Sequence, residues 1–150
     1  MQKQKVIETL DTGDRGDLAA AILIDKLLND AYVDKGPGHI SRLQWAILRC
    51  LARATPEQKT PTWIARFVGL TLAPVTRALE SLNRRGLILR TKNSADGRQT
   101  TVALTESGRQ ILDKDPLKSL AALISRLPDE QRHQFKQTLQ SISIQGLLDG

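Results

Sequence analysis

At 150 residues and 40% hydrophobic content, the chain has room for one domain or two small lobes around an ordinary core. Its longest apolar run, Leu18 to Ile24, is far short of the roughly 20 residues that cross a membrane, and its single cysteine, Cys50, excludes an internal disulfide. The net charge of +6 is concentrated: nine basic residues face three acids between Lys59 and Arg109, while the flanks balance 13 against 13. A basic middle between neutral ends points to a polyanion-binding module held by arms with another task.

Aromatic residues make up only 3% of the chain, which leaves Leu, Ile, Val and Ala to fill the core. No charged start with an apolar stretch and small-residue cleavage site opens the sequence, so no secretory signal is expected. The cysteine usage fits a reducing cytoplasm, and cytoplasmic localisation is the expectation.

Residues 1–16 are polar, contain Gly13 and Gly16, and read as a flexible N-terminal arm. Asp17 is expected to cap a helix with Ala20, Ile24, Leu27 and Ala31 on one stripe. Gly36, Pro37 and Gly38 end it. Ser41 caps a second helix, with Leu43, Ile47, Cys50, Leu51 and Ala54 along one face. Trp45 and Leu48 widen that stripe, so this helix is expected to be buried on two sides. Residues 17–54 thus form a pair of N-terminal helices.

A head is expected over residues 55–109. Thr60 followed by Pro61 is a helix start, with proline at the first helical position, where its missing N–H costs nothing. A short helix follows through Trp63, Ile64, Phe67 and Val68, and Gly69 stops it. Thr71 is expected to cap another helix that turns Val75, Ala78, Leu79 and Leu82 inward and ends at Gly86. Two helices joined by a tight glycine turn outline a helix-turn-helix. The period then shifts. Leu87–Lys92 is a short strand, Asn93, Ser94, Asp96 and Gly97 form a turn, and Thr100, Val102 and Leu104 alternate as a second strand. A hairpin directly after the second helix is a wing. Over residues 110–150, a helix capped by Thr105 is predicted to run to about Arg126, with Pro116 as a candidate kink. A last helix starts at Pro128, Asp129 and Glu130 and carries Phe135, Leu139 and Ile142. The fold class is mainly α (α+β).

The apolar positions of the helix after Gly69 pack it onto its own domain. Thr71, Leu72, Ala73, Pro74, Thr76 and Arg77 are left near its N-terminal end, where a recognition helix meets base edges in the major groove. Arg77 suits a guanine edge, and Ala73 or Thr76 a thymine methyl. Pro74 is tolerable at the third helical position, where N–H groups have no partner inside the helix. Arg84 and Arg85, at the far end, suit the helix dipole and could reach phosphates. Arg90 and Lys92 lie on the first wing strand and Arg98 just past the hairpin turn, where a long cation suits a narrow minor groove.

These residues resemble the winged helix of the multiple-antibiotic-resistance regulator (MarR) family. The matching stretches are Ile64-Ala65, Val68-Gly69-Leu70-Thr71, Val75-Thr76-Arg77, Leu82 and Arg85-Gly86-Leu87-Ile88. They continue with Asp96-Gly97-Arg98 in the wing and with Leu104-Thr105-Glu106-Ser107-Gly108. The final helix start, Leu127-Pro128-Asp129-Glu130-Gln131-Arg132, agrees as well. The resemblance implies a bacterial or archaeal homodimer whose N- and C-terminal helices intertwine and whose two heads read an inverted repeat in duplex DNA. Half-sites would lie about 34 Å apart. It implies that Arg98 enters the minor groove and that Asp96 orients the wing. It also implies release of DNA by a small aromatic or phenolic effector bound between head and dimer helices. Pro74 departs from the family, which usually has Ser or Thr there.

An enzyme is not expected, because no Gly-rich phosphate loop or His-Glu pair at metal spacing is present. His39 and His133 are too few for the three or four ligands of a zinc site, so neither metal nor cofactor is expected. Trp45 and Trp63 read as core, and Cys50 as a small buried hydrophobe. A winged-helix interaction module without specific DNA binding remains the alternative, and a redox switch at Cys50 a third reading.

Overall fold

A computed structural model describes residues 15–33, 36–92 and 99–148. The chain divides into two compact units, one of residues 34–115 and one of residues 1–33 with 116–150. Among the described residues no helix is long and apolar enough to cross a membrane.

The 34–115 unit is built on α2 (Arg42–Arg53), α3 (Pro61–Val68) and α4 (Leu72–Arg84), followed by strands β1 (Ile88–Lys92) and β2 (Thr100–Leu104) and a short α5 (Glu106–Ile111). Ser41 caps α2 through a capping box. Its hydroxyl accepts from the Gln44 N–H at 3.2 Å, and Gln44 Oε1 accepts from the Ser41 N–H at 2.9 Å. The same Gln44 side chain, buried in the core, donates from Nε2 to Ser81 Oγ at 3.0 Å. A buried amide is thereby satisfied while it ties the start of α2 to α4. Ile47, Leu48, Ile64, Val75, Leu79, Leu82, Ile88 and Val102 are fully buried and form the core of this unit. Trp45 joins them, but Trp63 does not. It is half-buried and stacks on Phe67 with ring centroids 5.1 Å apart.

The strands pair antiparallel with Ile88 opposite Leu104, Arg90 opposite Val102 and Lys92 opposite Thr100. Val102 also donates its N–H to the Lys59 carbonyl at 2.8 Å, which fastens the wing base to the segment before α3. The Thr105 hydroxyl accepts from the Gly108 N–H at 3.0 Å and donates to the Gly86 carbonyl at 2.6 Å, while the Thr105 N–H donates to the Leu87 carbonyl at 3.2 Å. One threonine therefore caps α5 and locks it onto the turn that ends α4. Gly108 is buried in that joint. A Cβ there would overlap the Leu87 carbonyl oxygen and stand 3.1 Å from Leu104 Cδ2, so glycine is required for close approach.

In the second unit, α1 (Arg15–Ala31) packs against α6 (Leu117–Ser125), and α7 (Asp129–Leu148) completes the set. Three expectations need correction here and at the unit boundary. Helix α1 starts at Arg15, so Arg15 and Gly16 are helical and Asp17 lies in the first turn, where its charge suits the dipole, rather than at the cap. Thr71 stands at the N-cap of α4 with extended backbone, but its hydroxyl makes no capping hydrogen bond. The helix predicted from Thr105 to Arg126 is broken. It ends at Ile111, tightens to a 3-10 turn over Leu112–Lys114, and restarts after Pro116 as α6. Proline disfavours helical geometry at the residue before it, and Asp115 is extended. Its carboxylate takes both arms of the Arg49 guanidinium, at 2.6 Å from Nε and 2.8 Å from Nη2, which holds the break open. The arm over residues 1–14 lies outside the described residues.

Candidate nucleic-acid interface

Helices α3 and α4 are set by their stops. Gly69 adopts φ +70°, which a residue with a side chain rarely tolerates, and the Leu70 N–H closes back onto the Ala65 carbonyl at 3.0 Å. The chain turns there and enters α4 two residues later. Val75, Ala78, Leu79 and Leu82 face the core, which fixes the rotation of the helix. Thr71, Leu72, Ala73 and Arg77 consequently emerge into solvent, with Pro74 and Thr76 half-buried beside them. The Arg77 and Arg84 guanidinium groups have no hydrogen-bond partner among the described residues and remain available.

The remaining cations have different surroundings. Arg85 donates from Nη1 to the His39 carbonyl at 3.1 Å and from Nη2 to the Gly38 carbonyl, so it clamps the loop before α2 onto the end of α4. Arg90 stands on β1 with Nη1 4.0 Å from Glu80 Oε1, a loose exposed pair of small worth, and Lys92 is exposed at the strand's end. Asp96 and Arg98 lie outside the described residues.

An open groove of about 410 Å³ joins these parts. It is lined by Leu72 and Thr76 of α4, Arg90 and Thr100 of the wing strands, Gln99 before β2, and Thr60, Pro61 and Thr62 at the start of α3. Three of the site residues expected from sequence therefore meet in one place, and the start of α3 joins them. That last contribution had a legible signal. A Thr-Pro helix start presents N–H groups without intrahelical partners, and such a terminus attracts anions. Thr60 Oγ1 accepts from the Trp63 N–H at 3.3 Å, which leaves the earlier Thr62 N–H outside the cap. Gln99 and Thr100 carry no such signal, because their place depends on strand register. The groove thus offers hydroxyls, an amide, a guanidinium and a helix start, a donor-rich surface suited to phosphate oxygens.

Comparison with known proteins agrees with this architecture. The sequence model of the MarR family matches residues 40–100, from just before α2 to the start of β2. The HTH-type transcriptional repressor YetL of Bacillus subtilis (strain 168) is 26% identical over 103 residues, covering 67% of this chain and 62% of YetL. A MarR transcriptional regulator from Methanosarcina mazei Go1 superposes with TM-score 0.70 at 22% identity, over 91% of this chain and all of that one. The structure of MepR of S. aureus in complex with DNA superposes with TM-score 0.66 at 22% identity, over 86% of this chain and 96% of that one. The structural likenesses establish the winged-helix fold, and the MarR sequence model covers the helix-turn-helix and first wing strand, so it is the head of this chain that is similar to the MarR family.

Proposed function

We propose that this protein is a sequence-specific duplex-DNA-binding transcriptional regulator, a repressor that acts as a homodimer on an inverted repeat. The observation that carries the reading is the exposed N-terminal face of α4, with an Arg77 that has no partner among the described residues, beside the donor-rich groove of the wing and the α3 start. In this reading α4 enters the major groove. Arg77 forks onto a guanine edge, and Ala73 and Thr76 meet thymine methyls. Thr71, Leu72 and Pro74 pack along the backbone at the groove's entrance, where the ring of Pro74 replaces the hydroxyl usual in the family. Arg84, Arg90 and Lys92 meet phosphates. Arg98 enters the minor groove and Asp96 orients the wing. Arg85 is assigned to the clamp on Gly38 and His39 rather than to a phosphate.

The homodimer is supported by the second unit. None of its described residues is buried, and α1 exposes Leu18, at 66%, together with Ile22, Leu23, Ile24 and Leu27. So much apolar surface on a soluble chain marks an interface. A small aromatic or phenolic effector, as the resemblance implies, would release DNA by binding one spacing of the two heads better than another. The reading places the protein in the cytoplasm, on the nucleoid when bound.

The test is selection of binding sites from random duplex DNA by the wild type, Arg77→Ala and Arg98→Ala. The wild type should enrich an inverted repeat, bind it less as salt rises, and lose about 1–3 kcal/mol at one base position on loss of Arg77. Equal behaviour of all three proteins at low salt, with no enrichment, would replace this reading with that of an interaction module.

A further inference from the structure

The 34–115 unit holds a second cleft, lined by none of the residues of the groove described above. It measures about 540 Å³, within the range of roughly 300–1,000 Å³ usual for small-molecule sites. One wall is α3, where Trp63 and Phe67 stand one turn apart with their rings stacked at 14° to each other. Phe67 is 62% exposed, so this stack is not part of the core and presents an open aromatic surface. The facing wall is α2, which supplies Arg49, Cys50 and Arg53, and Gln58 closes one end.

The polar groups of this lining are donors of unequal availability. Arg49 is engaged with Asp115, so its charge is balanced. Arg53 has no hydrogen-bond partner among the described residues. Gln58 gives its Oε1 to the Thr55 N–H at 3.0 Å, which leaves its NH₂ as a donor. Burial pushes the Cys50 thiol up from its ordinary pKa, so it is a neutral part of the floor. No acidic side chain lines the cleft. An occupant therefore needs a flat apolar face for Trp63 and Phe67 and an anionic group for Arg53, and a cation is disfavoured.

We propose that the cleft between α2 and α3 binds a fused-ring aromatic anion, its rings extending the Trp63–Phe67 stack and its acid group paired with Arg53. All of the residues that line the cleft belong to the 34–115 unit. Binding at this site does not depend on the DNA-reading assignment.

Naphthalene-2-carboxylate serves as the probe, with neutral 2-naphthylmethanol as its control. The full chain is titrated by calorimetry and by ¹⁵N–¹H spectra of its two tryptophan indoles, assigned with Trp63→Phe. The carboxylate should move the Trp63 indole signal and leave that of Trp45, which sits in the core. Phe67→Ala and Arg53→Ala should each weaken binding by about tenfold, and the neutral alcohol should bind more weakly by a similar factor. Both residues are exposed, so the thermal midpoint of each variant should match the wild type. Absence of binding at millimolar probe, a shift confined to Trp45, or unchanged affinity in both variants would overturn the proposal.

Discussion

The head and the arms of this chain use similar apolar residues to opposite effect. In the 34–115 unit, Ile47, Leu48, Ile64, Leu79 and Leu82 are completely buried by their own chain. In α1, α6 and α7, Leu18, Ile22, Leu123, Ile142 and Ile144 are all at least half exposed. A small helical unit that buries no described residue cannot offset the conformational entropy of ordering its backbone. The head therefore builds a core of its own, whereas the arms leave their apolar residues uncovered, and the proposed dimer would cover them. The division suits the proposed regulator, whose reading surface would stay rigid while the distance between two such surfaces changes.

The sharpest way to break the head alone is at Gly108. Gly108→Ala places a methyl group into the Leu87 carbonyl at the joint of α4, wing and α5. Backbone cannot yield there as a flexible side chain would, so a loss of about 3 kcal/mol is expected. Urea unfolding would measure it, and a midpoint within error of the wild type would show that the joint is looser than its geometry. The converse experiment breaks the arms alone. Ile142→Asp puts a carboxylate on an α7 position that is 56% exposed in the single chain and buried in the proposed dimer. An uncompensated charge in that interface should weaken association by about 100-fold, or roughly 2.7 kcal/mol. Light scattering at micromolar concentration should then report a monomer with native head signals. A dimer that persists would place the interface elsewhere.

The head was largely legible in the sequence because its punctuation is local. Ser41, Thr60-Pro61, Gly69 and Gly86 each act within four residues of themselves, as does the cap that Thr105 gives α5, and the strand alternation around Val102 gave the wing. What escaped were consequences of contacts distant along the chain. Pro116 was visible as a perturbation, but whether it kinks or breaks the helix depends on Asp115 meeting Arg49, 66 residues earlier. Helical spacing placed Trp63 and Phe67 on an apolar stripe. Yet α3 has only eight residues and buries only Ile64 and Ala65, so the aromatic pair is left to the cleft. In the candidate site, composition located the basic residues correctly along the chain but could not distinguish cations that are free from cations already engaged.

Arg84 and Arg85 make that last difference measurable, with the smallest effects of the set. They are neighbours at the end of α4, alike in charge and exposure. Arg85 holds two carbonyls of the loop before α2, whereas Arg84 holds nothing among the described residues. Arg85→Ala should remove the clamp and cost the head about 1 kcal/mol of stability. The dependence of DNA affinity on salt should hardly change, because no phosphate contact is lost. Arg84→Ala should leave stability within about 0.5 kcal/mol and lower the slope of log affinity against log salt by about 1. Measuring both quantities on both variants crosses the two roles, since neither readout alone separates a loosened head from a missing phosphate contact. If the slope falls for Arg85→Ala and the stability for Arg84→Ala, the assignments are reversed, and the clamp seen in the free head gives way to a phosphate contact when DNA is bound.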